Sequence, residues 1–508
     1  MRKRTWFIAI LCLTGLACSQ RSPGSDFVVA LESYPTSLDP RYPADAYSSK
    51  VQGLIFNGLL KYDENLQLVP DLAERYEFVT PTRLHFQLRP GIRFHDGREL
   101  TARDVAYTYE SIRKAGSRSP VSGTFEKLSE IKVTGPYELE LNLKEPFAPI
   151  LTALVMGIVP EGVRGGAEGD FGSQPIGTGP FRFHSLKKDQ WVRLEANPNY
   201  FGTKPQLTSV EFRTIRDDTT RVLQALRGDV DLVQNAIPLA MASWLQNKSR
   251  LQIQTAPGIN YAYMAFNLKD PILSKRQVRE AIAMAINREE LIKHQLKGFA
   301  RPATGILAPS NWYFEPDIPQ VPFDPDLAKK LLDDAGYPDP DGPGPLQRFT
   351  LSYKTSNRRD RVLMARAIAR QLGAVGIGVE IRPYEWGTFF RDIRTGNFQI
   401  FTSTWVGVTD PDIFHYIFHS GMMPPDGANR GSYQNPIVDE LLDLARRETN
   451  PELRRQYYSQ VQKLIALELP YVSLWYEDNV AFLQPDVVGY ELRPDASFIG
   501  LVNVTISH

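Results

Sequence analysis

Residues 94–105 read FHDGRELTARDV. Asp96-Gly97 is a turn signal at the end of a strand. Thr101, with Asp104 three positions on, has the form of a capping box that opens a helix. Ala102, Val105, Ala106, Tyr109 and Ile112 follow at helical spacing, and Gly116 is placed to close the helix. Outward from this unit the period changes. Leu84, Phe86 and Leu88 on one side, and Tyr137–Leu143 on the other, alternate as half-buried strands. Strands and helices alternate from about Asp26 to the end, so the expected class is α/β.

The second half is well punctuated. Asp324 caps a helix, Pro325 takes its first position, Leu327, Ala328, Leu331, Leu332 and Ala335 form its apolar face, and Gly336 ends it. Asp217 or Asp218 caps a short helix that Gly228 terminates. Ser274 is placed to cap the helix bearing Val278, Ala281 and Ile282. Asn435-Pro436 and Asn450-Pro451 open two more. A helix over 363–372 leads into an alternating strand at 376–381, a crossover unit of a compact α/β lobe.

Composition narrows the function. The 508 residues carry 58 basic and 58 acidic side chains and are 42% hydrophobic. Such a balance lacks the concentrated basic face of a nucleic-acid binder. The two cysteines, Cys12 and Cys18, both lie near the start. The body therefore has no disulfide, Cys-ligated zinc or thiol catalysis, and its stability rests on a large core. Arg2, Lys3 and Arg4 precede an apolar stretch, Trp6–Ala17, too short to span a bilayer. It reads as a signal peptide, residues 1–17. Gly15-Leu16-Ala17-Cys18 resembles the cleavage and lipidation box of bacterial lipoproteins, with Gly15 where that box usually has Leu. Cys18 would then carry a lipid anchor, with a polar tether over 18–25.

The whole mature chain resembles the family 5 extracytoplasmic solute-binding proteins, the dipeptide and oligopeptide receptors of ABC importers. The block at 94–105 carries the resemblance. So do Pro35-Thr-Ser-Leu-Asp-Pro40, Leu68–Glu74, Pro175-Ile-Gly-Thr-Gly-Pro-Phe181, Asn197-Pro-Asn-Tyr200, Ala225–Asp231 and Val278–Arg288, in the family's order. The resemblance implies a two-lobed clamshell with an extra inserted domain. Lobe I would occupy 26–52, 175–270 and 480–508, the inserted domain 53–174, and lobe II 271–479. The lobes would close by hinge motion, with Tyr261–Asn267 as the connecting strand. The implied role is capture of a peptide-like solute and delivery to the permease's transmembrane subunits. The protein would act as a monomer in the periplasm or at the cell surface, without cofactor, metal or nucleic acid.

Peptide receptors of this family neutralise the ligand's amino group with an aspartate three residues after a Trp. In Trp405-Val-Gly-Val-Thr-Asp-Pro-Asp412 that position is Val408. Either Asp410 or Asp412 substitutes, or the ligand has no free amine there, since a buried unpaired ammonium is costly. The resemblance also brings Trp405, Trp386 and Tyr384 to the cleft as aromatic walls. Arg430, with Arg358 and Arg359, is placed to pair a ligand carboxylate. The same receptor role for an oligosaccharide, nickel chelate, haem or opine-like solute is the alternative. An extracytoplasmic hydrolase is the rival class, but no G-x-S-x-G elbow or H-E-x-x-H helix is present. His415 and His419 stand four apart, a two-ligand hint of metal binding.

Overall fold

A computed structural model describes residues 26–42, 45–114, 119–165, 169–342 and 344–507. The signal segment, Cys18, the tether and Gly116 lie outside them. The chain opens with β1 (Phe27–Leu31), five residues buried on both faces, as a central parallel strand requires. Asp45 caps α1 (Ala46–Ile55) by accepting from the Ser48 N–H. A hairpin of β2 (Leu60–Tyr62) and β3 (Leu68–Pro70) then leads away from β1. It enters a separate antiparallel sheet of β4 (Ala73–Thr80), β5 (Arg83–Leu88), β6 (Leu128–Gly135) and β7 (Glu138–Leu143), ordered β4-β5-β7-β6.

The opening motif builds the partner of this sheet. Gly97 turns at φ +90°, where a side chain would be strained. Thr101 and Asp104 form the reciprocal capping box of α2 (Ala102–Arg113). Val105, Tyr109 and Ile112 then pack on Leu84, Phe86, Leu139 and Leu141 in a core of their own. Two short helices, α3 (Ser122–Phe125) and α4 (Ile150–Ala153), add Phe125 and Ile150 to it.

The chain returns through β8 (Phe181–Lys187), β9 (Trp191–Ala196) and β10 (Ser209–Thr214), and β10 pairs parallel to β1. Asp217 caps α5 (Asp218–Arg227), Gly228 ends it at φ +84°, and β11 (Leu232–Gln234) joins the other side of β1. After α6 (Leu239–Lys248) comes the long β12 (Gln252–Phe266). Helices α7 (Arg276–Ala285) and α8 (Arg288–Gln295), β13 (Ala300–Pro302) and α9 (Pro325–Asp334) follow. Then β14 (Phe349–Ser356), α10 (Arg359–Gly373), β15 (Ile377–Tyr384), α11 (Trp386–Arg394) and β16 (Ile400–Trp405) make two parallel crossovers. Helices α12 (Ile413–Phe418), α13 (Pro436–Arg447) and α14 (Pro451–Glu468) precede β17 (Tyr471–Leu483), and β18 (Val487–Val488) pairs with β19 (Thr505–Ile506).

One sheet runs β15-β14-β16-β12-β17-β11-β1-β10-β9-β8, with β13 beside β17. Its two halves share only β12 and β17. Alternate side chains serve opposite faces: Ala262, Met264 and Phe266 enter one core, Tyr261, Tyr263 and Ala265 another. The β12–β17 register breaks between Ala256↔Asn479 and Asn260↔Glu477, so three residues, 257–259, oppose Asp478 alone. This is a bulge, which bends a sheet locally. The stretch expected to flex, Tyr261–Asn267, is paired on both sides through Ala265, with β16 and with β17. Bending it would break two ladders, which makes the bulge at 257–259 the candidate joint between the halves.

Two local expectations change. Ser274 does not cap α7; Lys275 holds that position, and the Ser274 hydroxyl donates to the Pro271 carbonyl at 3.1 Å. Leu327 is 39% exposed, because the buried stripe of α9 is Ala328 and Leu332.

Candidate ligand cleft

Because β14, β15 and β16 are parallel, their C-terminal residues Ser356, Tyr384 and Trp405 finish along one edge. Ligands of open α/β sheets bind at such edges. Arg358 follows β14, with its side chain 73% exposed, and bonds Asp360 at 3.1 and 3.2 Å. That bond pushes its guanidinium above the ordinary range, and Glu32 and Asp218 add to the effect. Glu32 follows β1 and Asp218 opens α5, so charges of the other half of the sheet face Arg358 across the joint.

Three of the expected residues meet in one stack. The Trp405 ring lies parallel to Tyr263 at 6.1 Å, and Tyr263 lies on Tyr471 at 4.4 Å. The Arg430 guanidinium sits 5.3 Å from both the Trp405 and Phe390 rings. Trp386, 56% exposed, stacks on Phe390 at 5.7 Å. Such cation–ring contacts hold a guanidinium in place. Two donors remain available: Trp405 Nε1 and Arg430 Nε are buried and have no hydrogen-bond partner. A polar group left this way is costly unless something binds it. Tyr384 packs against the same core, its ring 5.3 Å from the Lys354 ammonium, which pairs with Asp392 at 2.6 Å.

The aspartates stand apart from the stack. Asp410 accepts from the Asp412 N–H at 2.7 Å and pairs with Arg454 at 3.4 Å. Arg454 is itself buried, stacks on Tyr313 and Tyr458, and donates to the Ala445 carbonyl. Asp412 lies 3.0 Å from Arg446 Nε, but the pair is too poorly aligned for a hydrogen bond. Burial pushes the Asp412 carboxyl up to about 6; Arg446 opposes this and Asp410 reinforces it. Both carboxylates thus pin the 406–412 loop to α13 and α14. Val408 is buried in the same core rather than turned to the cleft. The end of α13 in turn abuts the segment after β7: the Ala148 N–H donates to the Arg446 carbonyl at 2.8 Å, and Arg446 lies over the Phe147 ring at 5.0 Å.

His415 and His419 stack at 4.5 Å, and with Asp443 they are the one group of three potential metal ligands found among the described residues. The arrangement does not suit a cation. Arg446 points a guanidinium N–H at His415 Nε2 over 3.1 Å. Burial first, then Arg446, hold His415 down to about 3. The Gly421 N–H donates to His419 Nδ1, so the proton of neutral His419 sits on Nε2, the atom that faces Asp443 at 3.6 Å. No lone pair is free there for a metal.

Sequence reasoning missed Tyr263, Tyr471 and Phe390. The alternation Tyr261-x-Tyr263 on a strand was the available signal, and Phe390 was legible only as one face of α11.

The chain matches known proteins over nearly its full length. The family model for bacterial extracellular solute-binding proteins, family 5, middle part, matches residues 67–422. The oligopeptide-binding protein AppA of Bacillus subtilis is 29% identical over 492 residues, covering 93% of this chain and 90% of that one. Its structure with a nonapeptide superposes with TM-score 0.76 at 27% identity, over 95% and 99% of the two chains. DppA of Helicobacter pylori, solved with the peptide STSA, gives TM-score 0.76 at 26% identity over 95% and 98%. NikZ of Campylobacter jejuni, solved with Ni(L-His), shares the fold at TM-score 0.78 and 24% identity over 95% and 100%. The chain belongs to the bacterial extracellular solute-binding proteins of family 5.

Proposed function

We propose that this receptor captures a short peptide between the two halves of its sheet and hands it to the transmembrane subunits of an ABC importer. Arg358 and Arg430 bind carboxylates, and Trp405, Trp386 and Tyr384 wall the cleft. The observation that carries this reading is the Trp386–Phe390–Arg430–Trp405–Tyr263 stack, with two buried donors unpaired. Relatives solved with peptides support the cargo. Asp410 holds its loop rather than a ligand amine. The amine therefore stays near solvent or is met by lobe I, where Glu32 is exposed.

The lobes meet at 257–259 and hinge there, and closure traps the cargo. Cys18 carries the anchor outside the cytoplasm, and the receptor acts as a monomer that catalyses nothing. Native mass spectrometry of the purified chain tests the cargo. A ladder of bound masses that sequences as peptides is expected. One repeated non-peptide mass, or a metal chelate, would overturn it.

A further inference from the structure

A second feature of lobe II carries more than the stack alone. Along α11 runs an open groove of about 820 Å³. Four cations line it: Lys269, Arg391, Arg394 and Arg430. Phe390 and Met423 supply apolar wall, and no acidic residue lines it. Among the described residues none of the four cations has a carboxylate within 4.0 Å. Neighbouring acids are already engaged: Asp392 pairs with Lys354, and the Asp270 carboxylate accepts from the backbone of Ile272 and Leu273. An uncompensated group of guanidinium forks in a concave wall is an anion site in charge and in geometry.

The groove also has a direction. Gly387 lines one end, next to Trp386 at the strand-end edge, and Gly396 lines the other. Between them α11 extends for roughly 12 Å, the span of three to four extended peptide residues. Arg430 belongs to both places, because its guanidinium packs on Trp405 while the residue lines the groove. Arg391 and Arg394 lie on the same face of α11, one turn further from the cleft.

We propose that the α11 groove is an extension of the ligand cleft that receives side-chain carboxylates of the cargo, making this a receptor that prefers acidic peptides. The inference rests on the peptide reading above.

The test is calorimetric titration of the purified chain with the tetrapeptides Ala-Glu-Ala-Glu and Ala-Gln-Ala-Gln. The acidic peptide is expected to bind about tenfold or more tightly than the neutral one, with an advantage that shrinks as salt is raised. Arg391→Gln/Arg394→Gln should remove that advantage and leave the neutral peptide unchanged. Arg366→Gln, an exposed site on α10, should leave both as they are. Equal affinity of the two peptides for the unaltered chain, or an advantage that survives the double substitution, overturns the groove while the peptide reading stands. Binding of neither peptide overturns both.

Discussion

Asp410→Asn separates a structural carboxylate from a ligand-binding one. Asparagine keeps the oxygen that accepts from the Asp412 N–H at 2.7 Å but removes the charge opposite Arg454. Arg454 is 6% exposed on its side chain and Asp410 17%, so the cation left behind is buried. Removing one partner of a buried pair costs roughly 3–5 kcal/mol. The 3.4 Å separation argues for the low end. So do the remaining bonds of Arg454 to the Ala445 carbonyl and the Tyr313 hydroxyl, both at 3.2 Å. Because Asp410 is also partly solvated, the loss falls to or just below that low end, about 2–3 kcal/mol. If the second half of the molecule melts as a unit of about 200 residues, Tm falls by roughly 4–12 °C. Differential scanning calorimetry reads that shift, and native mass spectrometry of the same preparation reads the retained ligand. The reasoning requires a lower Tm with ligand retained. A Tm within a degree of the parent, together with loss of ligand, would refute it and return Asp410 to the cleft.

Trp405→Ala should weaken ligand roughly 10- to 100-fold through loss of the aromatic wall, as titration would show, and should also lower Tm because the ring packs on Tyr263 and the core. Asp412→Asn tests the raised carboxyl. Its folded pKa of about 6 lies above the ordinary 3.8, so the native state holds the proton more tightly. Asp412 therefore favours folding below about pH 4, and that contribution is lost as pH rises to about 6. The stability of the parent relative to Asp412→Asn should fall across that window in urea titrations; a difference that rises or stays flat contradicts the assignment. At the joint, a Cβ on Gly258 would come within 2.2 Å of the Glu477 carbonyl. Gly258→Ala should thus reset the angle between the halves and lower ligand affinity, detected as a changed radius of gyration in small-angle scattering.

Local chemistry was legible and long-range pairing was not. The Thr101–Asp104 box, the Asn435 and Asn450 caps and the Gly228 terminus act within four residues of themselves, so sequence shows them directly. Tyr384 and Trp405 were expected near one another at the cleft, and the structure sets them along one edge because parallel strand ends share it. Asp410 and Asp412 were ambiguous because their partners, Arg454 and Arg446, lie 44 and 34 positions on in another helix pair. Val408 looked like a missing ligand group, yet the turn after Trp405 points it into the core. The irregularity at 257–259 was not legible, because a bulge has no signature in composition, only in register.

The core around β1 has a consequence for how the molecule is made. Phe27, Val29 and Leu31 pack with Ala481, Leu483, Val487, Phe498 and Leu501, so the earliest described residues and nearly the last ones share one interior. β1 finds its strand partners within some 200 residues, in β10 and β11. A chain delivered from its N-terminus must still leave the face of Phe27, Val29 and Leu31 incompletely covered until some 450 further residues have arrived. Contacts of such sequence separation are slow to form, and the first lobe can be completed only after the second. This order suits a polypeptide that has to stay extended during passage through a narrow channel. It also makes the last core-forming segment, residues 481–504, the step on which completion of the first lobe's core waits.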